Sequence, residues 1–150
     1  MIKDVVTALS LAKAKFKPLK KSGVNPHFKS SYSTLDDIRE ATNEALIAHG
    51  LVLTHHGKVL EDYTILTTAL THRESGSSIE SASYVANEAP QKMGSAMTYA
   101  RRYNIINLLD LIADPDDDGE SYYGRGGSAS KTGKNQQQQQ RRTLGGERLS

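Results

Sequence analysis

Apolar residues recur at helical spacing in three stretches of the chain, and three β-branched-rich runs lie between the second and the third. The first stretch gathers Ile2, Val5, Val6, Leu9 and Ala12 on one side of a helix and leaves Lys3, Lys13 and Lys17 on the other. Pro18 and the KKSGVNPHFKSSYS that follows interrupt the period and read as a break and a loop. A second helix is expected from Ser33 or Thr34, either of which can cap it, with Asp36 and Asp37 in a first turn that favours carboxylates. Its buried stripe reads Leu35, Ile38, Thr42, Ala45 and Leu46, and Gly50 stops it as a C′ glycine does.

LVLTHHGKVL, YTILTTALTH and SSIESASYVA then read as three strands, parted by EDY and by the glycine-containing RESGS, which predicts an antiparallel meander. NEAPQ leads into a long helix that holds MGSAMTYARRYNII and is expected to run through NLLDLIAD until Pro115 ends it. The order predicts an α+β fold, a small three-stranded meander with helices on one face and a β-β-β-α core. One sheet face is then left for something other than that core.

From Ser121 the chain is SYYGRGGSASKTGKNQQQQQRRTLGGERLS, rich in Gly, Ser and Gln and almost without aliphatic side chains. Such a stretch cannot bury enough to offset the entropy of ordering it, so residues 121–150 are expected to form a disordered tail behind a folded domain of residues 1–120.

At 150 residues the chain has room for one modest domain, and without cysteine it can build neither a disulfide nor a thiolate metal site. No apolar run approaches the roughly 20 residues of a membrane span. Asp4 and scattered lysines occupy the N-terminal stretch where a signal peptide would be apolar. A soluble, intracellular protein without a membrane partner is expected. Charge is laid out unevenly: seven lysines against one aspartate in residues 1–30, six basic against nine acidic in 31–109, six acidic alone in 110–120, and six basic against one acidic in 121–150. Basic ends around an acidic knot suggest a polyanionic partner, although solvated charged faces have the same composition.

Catalytic patterns are weak. His27, His49, His55, His56 and His72 show no H-x-x-x-H spacing, and His55 and His56, adjacent on a strand, read as one semi-buried and one surface residue. GGSASKT resembles a phosphate loop only superficially, with Ser130 and Arg125 where its two glycines belong and no strand before it. In the acidic knot, Asp114, Asp116, Asp118 and Gly119 fit the first half of an EF-hand loop, but Arg125 stands at the position of the bidentate glutamate. Neither a cofactor, nor a metal, nor an enzymatic activity is expected.

The third helix is more telling. Tyr99, Arg102, Tyr103 and Ile106 follow the i, i+3, i+4, i+7 spacing of one face, with Arg101 beside them. Proteins that hold single strands track phosphates with cations and stack bases on rings, so Tyr99, Arg101, Arg102 and Tyr103 offer both contacts. Lys92 on the same helix and Lys20, Lys21 and Lys29 in the loop before Tyr32 extend the candidate surface. A structural use competes with this one: the tyrosines can be core residues with rim hydroxyls, and Arg102 can pair with Asp37, Glu40 or a neighbouring subunit's Asp110. The small Gly94, Ser95 and Ala96 would admit a close backbone, and Gly94 and Ser95 could offer N–H groups to a phosphate if the helix starts there.

NPHFKSSYSTLDDIREATNEALIAHGL, followed by the strands and by GSAMTYARRYNIINLLDLIADPDDDG, closely resembles the ERF family of phage single-strand annealing proteins over roughly residues 1–120. NPHFKSS departs from the more Gly- and Lys-rich approach to the tyrosine that the family leads one to expect. The resemblance implies a protein that binds single-stranded DNA, assembles as a homo-oligomeric ring or filament, and pairs complementary strands without ATP. It also implies a core shared with the Rad52 type of annealing protein, and a place in the bacterial host cytoplasm if phage-encoded. A phage exonuclease and a single-strand-binding protein are candidate further partners. The alternatives are a DNA-binding scaffold without annealing activity and, last, a metal-dependent nuclease built on the acidic knot.

Overall fold

The computed structural model describes residues 3–27 and 29–113. Ile2, Pro115, the acidic knot from Asp114 and the stretch read as a tail lie outside the described residues.

Helix α1 (Val5–Lys13) is capped by Asp4, whose carboxylate accepts from the Thr7 N–H at 2.7 Å. It buries Val5, Ala8, Leu9 and Ala12. Val6, expected on that stripe, is exposed, because one residue beyond Val5 a helix has turned by about 100°. α1 stops well before Pro18. Its chain turns to dock on the next helix, where the Lys17 N–H bonds the Ala41 carbonyl at 2.9 Å and Phe16 and Leu19 pack against the core.

The segment expected to be loop carries two short strands, β1 (Gly23–Asn25) and β2 (Ser30–Tyr32), paired antiparallel with Gly23 opposite Tyr32. Three residues per strand are too few to show a period. The pairing is held by what flanks it: fully buried Ser33 donates its N–H to the Ala113 carbonyl at 2.8 Å and its hydroxyl to the Lys20 carbonyl at 2.6 Å.

Helix α2 (Leu35–Ala48) begins in a capping box. The Thr34 hydroxyl accepts from the Asp37 N–H at 3.1 Å while the Asp37 carboxylate accepts from the Thr34 N–H at 3.0 Å. Ile38, Thr42, Ala45 and Leu46 are buried as expected, and Gly50 follows at φ +66°, a conformation that suits glycine.

The meander consists of β3 (Leu51–Val59), β4 (Tyr63–His72) and β5 (Ser78–Ala86), in that spatial order and antiparallel throughout. Leu51 pairs with His72, Gly57 with Leu66 and Leu66 with Ser83, which fixes one face as the helix side. On that side Leu51 and Leu70 join Val5, Leu9, Ile38, Leu46, Ile105 and Leu109 in one core. The opposite face carries exposed Val52, Tyr63 and Tyr84, with the two tyrosine rings edge to face at 5.3 Å.

Helix α3 (Pro90–Leu109) starts on a proline in its first turn, where the missing N–H costs nothing. It ends at Leu109, six residues before the Pro115 expected to stop it. Asp110 takes a left-handed conformation at φ 54° and sends its N–H back to the Ile106 carbonyl. Beyond it, Leu111 still packs on the core, and Ala113 reaches the Ser33 N–H. Apolar residues that extend the helical period in the sequence thus serve a folded-back segment. Among the described residues no helix is long and apolar enough to cross a membrane.

Candidate nucleic-acid interface

The stripe on α3 forms around one cation. The Arg102 guanidinium carbon stands 4.8 Å from the ring centroid of Tyr32, 4.9 Å from that of Tyr103 and 5.7 Å from that of Tyr99. The Tyr99 and Tyr103 rings lie 4.5 Å apart, tilted by 49°. Arg102 is only 8% exposed and also donates to the Ser33 carbonyl at 3.3 Å. Three ring faces and a carbonyl suit a delocalised, weakly hydrated cation better than an ammonium. Tyr99 is 58% exposed, so the outer ring of the cluster faces solvent while the charge that orients it sits behind.

Tyr32 enters from the hairpin. Its cross-strand partner Gly23 has to be small there, because a Cβ at Gly23 would come within 2.5–2.8 Å of three carbons of the Tyr32 ring. The hairpin is tied to α2 by Asp37, which accepts from the Ser22 hydroxyl at 2.6 Å and the Ser22 N–H at 3.0 Å besides its own capping bond. The Ser22 hydroxyl first, then the backbone N–H groups of Thr34 and Ser22, hold this carboxyl well below the usual carboxylate range.

Arg101 goes elsewhere. Two residues from each tyrosine, it is turned by about 160–200° from their rings, so it leaves α3 on the flank facing the sheet. There it is half-buried, with its Nε enclosed and without a hydrogen-bond partner among the described residues. The sequence brings Arg101 and Arg102 together, whereas on the helix they diverge by about 100° and enter different surroundings.

The lysines are spread around the hairpin side. Lys20 is exposed and paired with Glu40 at 3.0 Å, Lys21 is exposed, and Lys29 is exposed at the hairpin turn with φ 50°. Lys92 is exposed in the first turn of α3. Of the carboxylates expected near Arg102, Asp37 serves Ser22 and Thr34, Glu40 serves Lys20, and Asp110 pairs with Lys13 at 3.1 Å. Gly94 and Ser95 lie a full turn inside α3, so their N–H groups belong to the helix ladder rather than to a free N-terminus. The space beside Gly94 is open within this chain, with nothing within 4 Å of a Cβ built there.

Beneath α3 a polar network crosses the core. Fully buried Asn104 donates to the Leu66 carbonyl and the Thr68 hydroxyl oxygen, both at 3.1 Å, and accepts from the Ser83 hydroxyl. Thr68 in turn bonds His55 Nδ1 at 2.7 Å. His55 is half-buried on the helix side and His56 exposed on the other, as their alternation requires. Sequence reasoning missed Gly23, Ser33 and Asn104. A glycine nine residues before a tyrosine, a serine before a cap and a single helical asparagine carry no local signal of the contacts they make.

A three-helix layer on one face of a three-stranded meander, with a ring-caged arginine on the outer helix and a two-stranded hairpin against it, defines the structural class. Within that class the chain belongs to the ERF superfamily, whose family model matches residues 5–144 and so continues past residue 120. At the level of the family this is a protein of phage-type single-strand annealing and recombination. No curated protein and no solved structure matches the chain.

Proposed function

We propose that the chain binds single-stranded DNA without marked sequence preference and, acting as an oligomer, anneals complementary strands without ATP or any catalytic step. The observation that carries this reading is the Tyr99–Tyr103 pair, one ring largely exposed and both backed by the Arg102 charge. Bases stack on rings whatever their identity, and Lys29, Lys92, Lys21 and Lys20 around the hairpin and the start of α3 supply cations for the phosphates. Lys20 would exchange Glu40 for phosphate, a small cost for an exposed pair. The absence of a phosphate loop in the sequence supports independence from ATP. Among the described residues the outer strands β3 and β5 each have one edge that no other strand pairs, and this supports assembly of copies.

A dye-quench annealing assay in nucleotide-free buffer tests the reading. Annealing well above the protein-free rate is expected, and a rate no faster than bare strands refutes it. Binding without acceleration would favour a scaffold. Tyr99→Ala should weaken oligonucleotide binding by about 5- to 150-fold, the equivalent of one stacked base, with its melting temperature little changed.

A further inference from the structure

Helices cover β3 over only part of its length. On the helix side Leu51 is buried and Leu53 half-buried, but beyond half-buried His55 come exposed Gly57 and Val59, the latter 76% exposed. α3 packs on β4 and β5, so its flank borders an opening whose floor is the second half of β3. Met97 sets the register, since a Cβ at Gly57 would lie 3.7 Å from Met97 Cε. One helical turn on, about 6 Å along α3, stands Arg101, and two residues back along β3, about 6.6 Å on the same face, stands His55. Another such step on each element reaches Ile105 and Leu53, which belong to the same core cluster. Arg101 therefore lies over His55.

Three observations show that this opening favours an anion. Arg101 Nε is buried with no hydrogen-bond partner among the described residues, a donor whose desolvation the fold does not repay. The charged and titratable groups acting on His55 are Arg101 from α3, Arg39 from α2 and His56 beside it on β3, all capable only of positive charge. Burial first, and then these groups, hold the imidazole below its usual range. The ring is also held in place: Thr68 of β4 bonds Nδ1, and Asn104 of α3 anchors Thr68, leaving Nε2 on the side away from Thr68.

The geometry points to a phosphate-binding subsite made by Arg101, Arg39 and His55 at the opening over β3, on the opposite flank of α3 from the tyrosines, taking a phosphodiester of a bound single strand. This inference rests on the reading of the chain as a single-strand binder. An anion there satisfies the enclosed Arg101 Nε, offsets the clustered positive charge and accepts from His55 Nε2 once that ring is protonated. Protonation of His55, which its surroundings shift to lower pH, therefore tightens binding as pH falls.

The test uses the full chain and a labelled oligothymidine, with affinity followed by anisotropy over a salt series. Arg101→Met and Arg39→Gln should each flatten the slope of log affinity against log salt by about 0.7, whereas Tyr99→Ala weakens binding with the slope unchanged. Arg101→Met should melt at the same or a higher temperature, because it removes an unpartnered buried donor. Unchanged slopes in both arginine variants, while the wild-type chain binds, would overturn the subsite and leave the tyrosine surface standing. So would a lower melting temperature of Arg101→Met with its slope intact, which would place Arg101 in the fold. If Arg101→Met does not fold, exposed Arg39→Gln decides. If the wild-type chain binds no oligonucleotide, the single-strand reading itself falls. A titration with inorganic phosphate followed on the His55 ring signals then shows whether the site takes the free ion: a shift lost in Arg39→Gln retains it, and no shift removes it.

Discussion

The guanidinium of Arg102 lies over the ring of Tyr32 at 4.8 Å and bonds the carbonyl of the next residue, Ser33, at 3.3 Å, so one side chain of the outer helix holds the base of the β1–β2 hairpin. The same cation backs Tyr99 and Tyr103. The rings proposed to meet DNA are thereby coupled to a hairpin that sequence separates from them by most of the fold. A stripe of cation and rings on one helix is here a joint between two elements as well as a surface.

Replacing Arg102 should therefore cost stability as well as binding. Arg102→Ala removes a desolvated cation–π cluster and a charge-assisted bond, and should lower unfolding free energy by about 2–4 kcal/mol. Arg102→Lys should recover only a minor part, since an ammonium cannot lie flat against several rings. Urea unfolding followed by circular dichroism measures both. An Arg102→Ala chain as stable as the wild type would show that the cluster does not hold the hairpin. Substituting Arg101 and Arg102 together would mix this effect with the separate one of Arg101.

Gly23 is expected to tolerate no side chain while Tyr32 is in place. Gly23→Ala puts a carbon within 2.8 Å of the ring and should cost about 1–3 kcal/mol as the ring is pushed off its seat. Combined with Tyr32→Ala the clash disappears, so the double variant should be more stable than the two single losses added together. A double-mutant cycle in urea gives the coupling, and simple additivity would mean that Gly23 and Tyr32 do not meet.

Asp37 should make the fold sensitive to acid. Its carboxyl is held below the ordinary range by Ser22 and Thr34, so its contribution is fully present above the unfolded value of about 3.9 and is lost as pH falls below that toward the depressed folded value. Asp37→Asn should lower the melting temperature at neutral pH and make its decline between about pH 4 and pH 2 shallower, because the wild type gains one more proton on unfolding there, the one at Asp37. Parallel melting curves for the two chains across that window would show that these bonds do not stabilise the fold.

Much of the framework was legible because its signals are local. The three strands lie within a residue or so of where their β-branched runs placed them, and α2 begins on Thr34 and ends before Gly50 because a hydroxyl cap and a left-handed glycine act on the residues beside them. The helix side of the sheet follows from the period of two once one buried residue is known. α3 was legible as a helix, but its end was not. Leu111 and Ile112 extend the apolar pattern although the helix stops at Leu109, and composition cannot tell a helical turn from a segment folded back on the core.

The sequence by itself determined the elements, their order and the presence of two arginines between two tyrosines on one helix. Only the tertiary structure decided what each arginine does. Neighbours on a helix diverge by about 100°, and which flank meets a hairpin and which meets a strand depends on partners far away in the chain. Arg102 meets Tyr32 because a hairpin too short to show any period is pinned by Ser33 to the folded-back end after α3 and by Ser22 to Asp37. Arg101 comes close enough to act on His55 because α3 lies over β4 and β5 and its flank borders the second half of β3.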